Sequence, residues 1–316
     1  MKVIVLYSGG LDSTLTLKIV EEWDAEVFPL YIYHKFLSMK SYPEISNLKV
    51  IDVTKEFISI VRSPQHGYGK NLNPCIDCRI LMLKKAKEYM EEVKADFIAT
   101  GEVLDQRPMS QHYEQLMLIE KCAGCEGIVV RPLSGGLLPA TIPEQKGLVD
   151  RNFLLKIKGR SRKLSLAMAE KMHIESFVSP SGGCLLTDPG FCRRLADLLR
   201  FQEKIDLRDI ELLKIGRHFR LGPETKLIVG RNETENEAIE KILKPADFFL
   251  YVPDTGSPNA MLTGSKKYLR LASSITARYS DKKEEKAIEV YYRQQGKISK
   301  LRVKPLSNEE IAGWRI

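Results

Sequence analysis

The sequence is short of sulfur, imidazole and indole: 6 cysteines, 5 histidines and 2 tryptophans among 316 residues. That is too little cysteine for a small disulfide-stapled scaffold, so the thiols read as metal ligands or reactive groups. No apolar stretch reaches the roughly eighteen residues that a membrane span needs. No basic segment and apolar run with a cleavage site opens the sequence. A glycine loop begins at Ser8, so a cleaved leader would remove it. The expectation is a cytoplasmic protein. Long-period repeats and low-complexity linkers are absent too. Negative charge runs low towards the C-terminus: Met261 to Ile316 carries 13 Lys and Arg against 6 Asp and Glu, a net of +7 in a chain of net +8. A basic segment on a nearly neutral body points to a polyanionic partner, and a plain solvated surface is the competing reading.

What is present is ordinary globular composition, 43% hydrophobic and 28% charged, with length for two or three domains. Apolar runs predict strands at Val3–Tyr7, Glu26–Tyr33, Lys49–Val53, Asp96–Thr100 and Ile128–Leu133. Helical spacing appears at Ser13–Glu22, Ile76–Glu92 and Arg160–Met172. Short apolar strands alternating with helices predict an α/β fold with a doubly wound parallel sheet. After about residue 205 helices and short strands mix between turn signals. The expected division is therefore 1–205, followed by an α+β domain over 206–316.

The loop Ser8-Gly9-Gly10-Leu11-Asp12-Ser13 joins the first strand to the first helix. Gly9 and Gly10 let the backbone approach an anion, and amides at the helix start point at it. Ser8 and Ser13 add hydroxyls. Asp12 would repel phosphate, so its place is explained by Mg²⁺. The loop lacks the Gly-Lys-Ser/Thr ending that goes with γ-phosphate hydrolysis. Ser-Gly-Gly recurs at 134–136 and 181–183, without the strand, the Asp-Ser pair and the helix.

LYSGGLDS, residues 6–13, resembles the PP-loop of the ATP pyrophosphatases, an adenine nucleotide α-hydrolase-like superfamily. The resemblance implies that Ser8, Gly9, Gly10, Asp12 and Ser13 bind ATP with Mg²⁺, and that a carbonyl oxygen attacks the α-phosphorus. Asn73-Pro74-Cys75-Ile76-Asp77-Cys78, Ala99-Thr100-Gly101 and Gly182-Gly183-Cys184 follow in an order similar to the tRNA-uridine thiolases of the 2-thiouridylase and 4-thiouridine synthase type. That likeness spans about residues 1–195. It implies tRNA as partner, a sulfide or sulfur-carrier donor, Gly101 and His34 near the nucleotide, and Asp12, Cys75 and Cys184 in catalysis. Many such thiolases carry His where this chain has Glu102. Replacing a uracil oxygen requires making it a leaving group and holding a sulfur nucleophile beside it. Cys75, Cys78 and Cys184 fit the three-cysteine variant that holds a [4Fe-4S] cluster. A persulfide relay needs only two of them, and Cys75, Cys78, Cys122 and Cys125 together would read as a Zn²⁺ site.

Near the C-terminus, Lys226 to Asn236, containing Val229-Gly230-Arg231-Asn232, and then Asp247-Phe248-Phe249-Leu250 resemble the NFACT RNA-binding domain. The resemblance spans about 215–305 and implies RNA contacts at Arg231 and Asn232; a solvated turn is the alternative. The combined expectation is ATP-dependent tRNA thiolation. A PP-loop ligase or amidotransferase acting on a small molecule, or an ATP-responsive RNA-binding protein without catalysis, stand as alternatives.

Overall fold

The computed structural model describes residues 1–38, 45–174, 177 and 183–316. The chain divides into two compact units, Met1–Asp188 and Pro189–Ile316. The expected Ser-Gly-Gly at 181–183 has only Gly183 among the described residues.

In the first unit the elements run β1 (Lys2–Leu6), α1 (Leu11–Glu21), β2 (Glu26–Tyr33), β3 (Lys49–Asp52), α2 (Thr54–Arg62), α3 (Cys75–Val93), β4 (Phe97–Thr100), α4 (Tyr113–Ala123), β5 (Val129–Val130), α5 (Ile142–Gln145) and α6 (Lys163–Lys171). The strands form one parallel sheet in the order β3-β2-β1-β4-β5. β1 and β4 are central, which is why KVIVL and FIAT read as unbroken apolar runs. Ile4, Leu6 and Ile98 face α3 and α4 through Ile80, Leu83 and Ile119. Val3, Val5, Phe97 and Ala99 face the other way and meet Leu17 and Val20 of α1. Helices on both faces make the sheet doubly wound, as expected.

Three details differ from the sequence reading. β5 is two residues long where six were expected. Arg131 already accepts turn bonds from the Ser134 and Gly135 amides, and Pro132 has no amide to give a ladder. Helices α2 and α4 were not foreseen. Each buries a narrow stripe, Phe57 and Val61 in α2 and Leu116, Ile119 and Ala123 in α4.

The second unit contains α7 (Pro189–Phe201), α8 (Leu207–Lys214), β6 (Arg217–Gly222), β7 (Thr225–Val229), α9 (Glu233–Lys241), β8 (Phe248–Tyr251), β9 (Ala260–Thr263), α10 (Leu269–Arg278), β10 (Ile288–Gln294), β11 (Lys297–Val303) and α11 (Asn308–Ile311). Its six strands are antiparallel in the order β11-β10-β8-β9-β7-β6. α10 covers one face with Leu269, Ala272 and Ile275 against Leu227, Leu250 and Val290. Leu212 of α8 and Ile239 of α9 cover part of the other, against Ile228, Phe249 and Met261. α7, which precedes the expected start at 206, lies in this unit. Its Asp197 accepts from Arg220 Nη2 at 2.6 Å and sits 3.6 Å from Lys226 Nζ.

Candidate active site

In a parallel sheet of this order the chain leaves β1 and β4 in opposite directions, and the crevice between their C-terminal ends is where ligands bind in such folds. The SGGLDS loop leaves β1 and Gly101 follows β4. The two are pressed together: a Cβ on Gly101 would lie 2.7 Å from the Asp12 carbonyl carbon and oxygen and 2.8 Å from the Ser13 amide. Only glycine permits that approach, so Gly101 abuts the loop backbone.

Gly9 adopts φ +72°, the left-handed region, and turns the chain sharply into α1. Gly10 is the N-cap and offers no side-chain acceptor. The amides of the first helical turn are thereby left for an anion. Ser13 is buried and locks the loop: its Oγ donates to the Gly10 carbonyl at 2.8 Å and accepts from the Ser8 amide at 3.2 Å. Ser8, by contrast, is exposed, with its Oγ 3.2 Å from Ser13 Oγ.

Asp12 stands at the loop's far side. Burial raises its carboxyl above the usual range, against the pull of Arg162, Gln106, Arg107 and Ser165. Its Oδ1 is buried with no hydrogen-bond partner among the described residues. Such an orphaned carboxylate oxygen fits a hard cation such as Mg²⁺. Burial pushes the Arg107 guanidinium down; Arg79 adds to the shift, while Cys75 and Asp12 oppose it. Asp12, Cys75, Arg79, Arg107 and Arg162 therefore share one electrostatic neighbourhood, with three cations around the loop.

Cys75 and Cys78 occupy the first turn of α3. Asp77 between them is buried and anchors the preceding loop: its Oδ2 accepts from the His66 amide at 3.0 Å, and its Oδ1 lies 2.9 Å from His66 Nδ1. Asn73 Nδ2 donates to Cys75 Sγ at 3.2 Å. Cys184 pairs in an antiparallel bridge with Leu37, beside the Leu185 amide bonded to the Phe36 carbonyl. The two cysteine segments converge. Burial pushes the Cys78 thiol up to about 12, and Cys184 and Cys75 add to it through like-charge repulsion, with Arg79 opposing. Among the described residues, no three Cys, His, Asp or Glu side chains are grouped tightly enough to hold a metal ion. Cys122 is exposed, whereas Cys125 is buried with its thiol towards the Leu83 carbonyl. His34 is buried too, stacked on Phe57 with ring centroids 4.0 Å apart and with Phe36 at 6.2 Å.

Beneath Gly101 lies a buried charge network that sequence reasoning missed. Arg131 donates to Glu102 Oε2 at 3.0 Å and to Glu120 Oε1. Thr100 Oγ1 also donates to Glu102, and Arg79 Nε stands 3.7 Å from its other oxygen. Glu102 thus links the strand end to the cysteine helix. In the second unit, Asn232 caps α9 by accepting from the Glu235 amide at 3.0 Å, and Arg231 pairs with Glu235 at both ends of its guanidinium. Both side chains are engaged locally. They line a hollow of about 260 Å³ with Arg217, Ser257 and Tyr279.

Residues 1–137 match the family described as Thiamine biosynthesis protein (ThiI). The N-terminal segment is ThiI-like. Residues 216–315, beyond this ThiI-like segment, match the NFACT protein RNA binding domain. The tRNA-specific 2-thiouridylase MnmA of Nitratiruptor sp. is 31% identical over 117 residues, covering 32% of this chain and 34% of that protein. A probable tRNA sulfurtransferase of Thermococcus kodakarensis is 28% identical over 144 residues, covering 42% of this chain and 37% of that protein. The chain spans about a third of the length of these curated relatives. A 4-thiouridine synthetase–RNA complex with bound ATP aligns at a TM-score of 0.33 and 19% identity, covering 55% of this chain and 50% of that one.

Proposed function

We propose that this protein is an ATP-dependent tRNA sulfurtransferase that adenylates a uridine carbonyl oxygen and replaces it with sulfur, releasing AMP and PPi. The observation that carries the reading is the meeting at one switch point of an uncapped glycine loop, an orphaned Asp12 oxygen and two converging cysteine segments. The ThiI-like segment and the two tRNA-sulfur relatives support ATP, Mg²⁺ and tRNA as its ligands.

In this reading the amides after Gly10 hold the pyrophosphate, and Arg107 and Arg162 balance its charge. Ser8 reaches the phosphates, while Ser13 and Gly101 keep the loop in shape. His34 borders the pocket from the end of β2. Asp12 would hold Mg²⁺, which when bound supplies charge neutralisation at the phosphates. The uridine oxygen attacks the α-phosphorus, the bond to the bridging oxygen breaks and PPi leaves. Sulfur then attacks the activated carbon and AMP departs.

For the sulfur, the three thiols of Cys75, Cys78 and Cys184 suit an iron–sulfur cluster in donor chemistry, and positive metal charge would offset the burial and the like-charge repulsion that push the Cys78 thiol up. Cys75, Cys78 and Cys184 would hold a [4Fe-4S] cluster, which when bound supplies an open iron for sulfide. A relay between Cys75 and Cys184 is the second reading, favoured by the absence of a tight metal-holding group among the described residues. A Cys₄ Zn²⁺ site has less support, because Cys125 is spent on the core.

The experiment is anaerobic incubation of the protein with ATP, Mg²⁺, sulfide and unmodified tRNA, followed by nucleoside mass spectrometry. Thiouridine, AMP and PPi in equal amounts are expected. AMP and PPi that appear only with tRNA, without a thionucleoside, would show adenylation uncoupled from sulfur delivery, and neither product would favour a small-molecule ligase or an ATP-responsive RNA binder. Iron and sulfide in the purified protein, lost on Cys78→Ala, separate the cluster from the relay.

A further inference from the structure

Opposite the α10 face, the second unit's sheet is covered only in part among the described residues. α8 and α9 pack over Ile228, Met261 and Phe249, and that cover stops at the border with β10. Beyond it, antiparallel register places residues of three strands side by side. Tyr251 lies opposite Tyr291, which lies opposite Lys300; Phe249 lies opposite Arg293, which lies opposite Ile298. Leu250, Val290, Tyr292 and Leu301 alternate with them and turn to the α10 core. The uncovered rows therefore mix aromatic and basic side chains. The Tyr251 and Tyr291 rings stack with centroids 5.9 Å apart, and Phe249 meets Tyr251 at 5.7 Å. Arg293 lies 5.0 Å over Phe249. Ile298 is 61% exposed, unusual for an isoleucine in a strand.

We propose that this β8–β10–β11 face is a platform for unpaired RNA, with bases stacked on Tyr291 and Ile298 and the phosphate backbone along Lys300 and Arg302. This rests on reading the second unit as the RNA-holding part of the protein. Three observations favour RNA. Residues 289–304 carry five basic side chains against Glu289 alone. Aromatic rings interleave with those charges on one face, the arrangement that holds single strands through stacking and counterion release. A cavity of about 400 Å³ opens at the end of the row, between Lys244 and Pro245 on one side and Arg293 to Gly296 on the other, with Phe249 in its wall. That is room for a nucleoside. The exposed pairs Arg293–Glu240 and Lys300–Glu289 are weak enough to yield to phosphate.

The test uses the full chain and fluorescence anisotropy with a labelled twelve-nucleotide oligouridylate and a tRNA transcript. Tyr291→Ala should weaken oligouridylate binding about tenfold, the loss of one stacked base. Tyr291→Phe should bind like the wild type, since it keeps the ring. Lys300→Gln combined with Arg302→Gln should lower the slope of log affinity against log salt by about 1 to 2. ATP binding should be unchanged in all three. If these variants hold both RNAs at wild-type strength, the platform is wrong while the second unit's RNA role stands. If the wild type binds neither RNA, that role fails as well. Unaltered RNA binding together with self-association that Ile298→Glu abolishes in sedimentation would make this a protein-docking face and overturn the proposal.

Discussion

Gly101→Ala is the smallest change that tests the switch-point geometry. The new methyl would stand 2.7 Å from the Asp12 carbonyl and 2.8 Å from the Ser13 amide, where ordinary contact begins at 3.4 Å. The loop and the end of β4 must therefore part by about 0.6–0.7 Å, and no flexible side chain is there to yield. Overpacking against backbone costs about 1–3 kcal/mol, which for a unit of this size lowers the melting temperature by several degrees. The larger effect is on the ligand. The displaced atoms belong to the helix start whose amides face the anion, and an error approaching 1 Å in such a site costs on the order of 100-fold in rate. Calorimetric titration with ATP and Mg²⁺ measures binding, and pyrophosphate exchange measures adenylation. Gly313→Ala is the control, because a Cβ there meets nothing within 4 Å. A Gly101→Ala protein that binds ATP, exchanges pyrophosphate and melts as the wild type does would refute the contact between the two loops as the basis of the site.

Asp12→Ala should abolish AMP formation with little change in melting temperature, since burial disfavours the charged carboxylate and its Oδ1 has no partner within the described fold; wild-type AMP release would count against the Mg²⁺ role. Arg131→Met should destabilise the first unit by about 3 kcal/mol, because Glu120 would remain buried without a cation and Glu102 would keep only Arg79 at 3.7 Å. Urea midpoints matching the wild type would show that water reaches them. Lys226 gives a pH signature in the second unit. Burial pushes its ammonium down to about 8 from 10.5, with Asp197 opposing. Between those values the unfolded chain holds the proton that the folded chain has shed, so stability rises with pH across that window and the cost of burying the charge is fully present below it. Lys226→Met should remove the rise in urea midpoint between pH 8 and 10.5, and an unchanged slope would contradict the assignment.

The strands around the site were legible because a central parallel strand must be apolar at every position, and β1 and β4 are. The PP-loop was legible because Gly9 supplies a left-handed turn that other residues resist and Gly10 an N-cap without a side chain. β5 was overread because apolar composition extends to Leu133 while Pro132 ends the ladder. The arginines were not legible. Arg107 and Arg162 come from separate segments, and their meeting at Asp12, with Arg79 beside Arg107, is a tertiary fact that no local period carries. The cysteine grouping followed from resemblance: Cys75 and Cys184 act on the Cys78 thiol electrostatically, and no three such ligands are grouped tightly among the described residues. At Arg231 and Asn232 the local signal also has a structural use. Asparagine three residues ahead of glutamate is a helix-start pattern, and both side chains are used to build α9.

The Glu102–Arg131–Glu120 network bears on how this site can vary among relatives. One cation is shared by two acids inside the core, so the three positions carry a single joint constraint. A histidine at 102, neutral or charged, would leave Arg131 with one acid and Arg79 with none there. Tolerated changes should therefore arrive as sets, with the residue after the strand-end glycine covarying with positions 120 and 131. Swapping one member alone between two such proteins should lower the urea midpoint, whereas moving all three together should restore it.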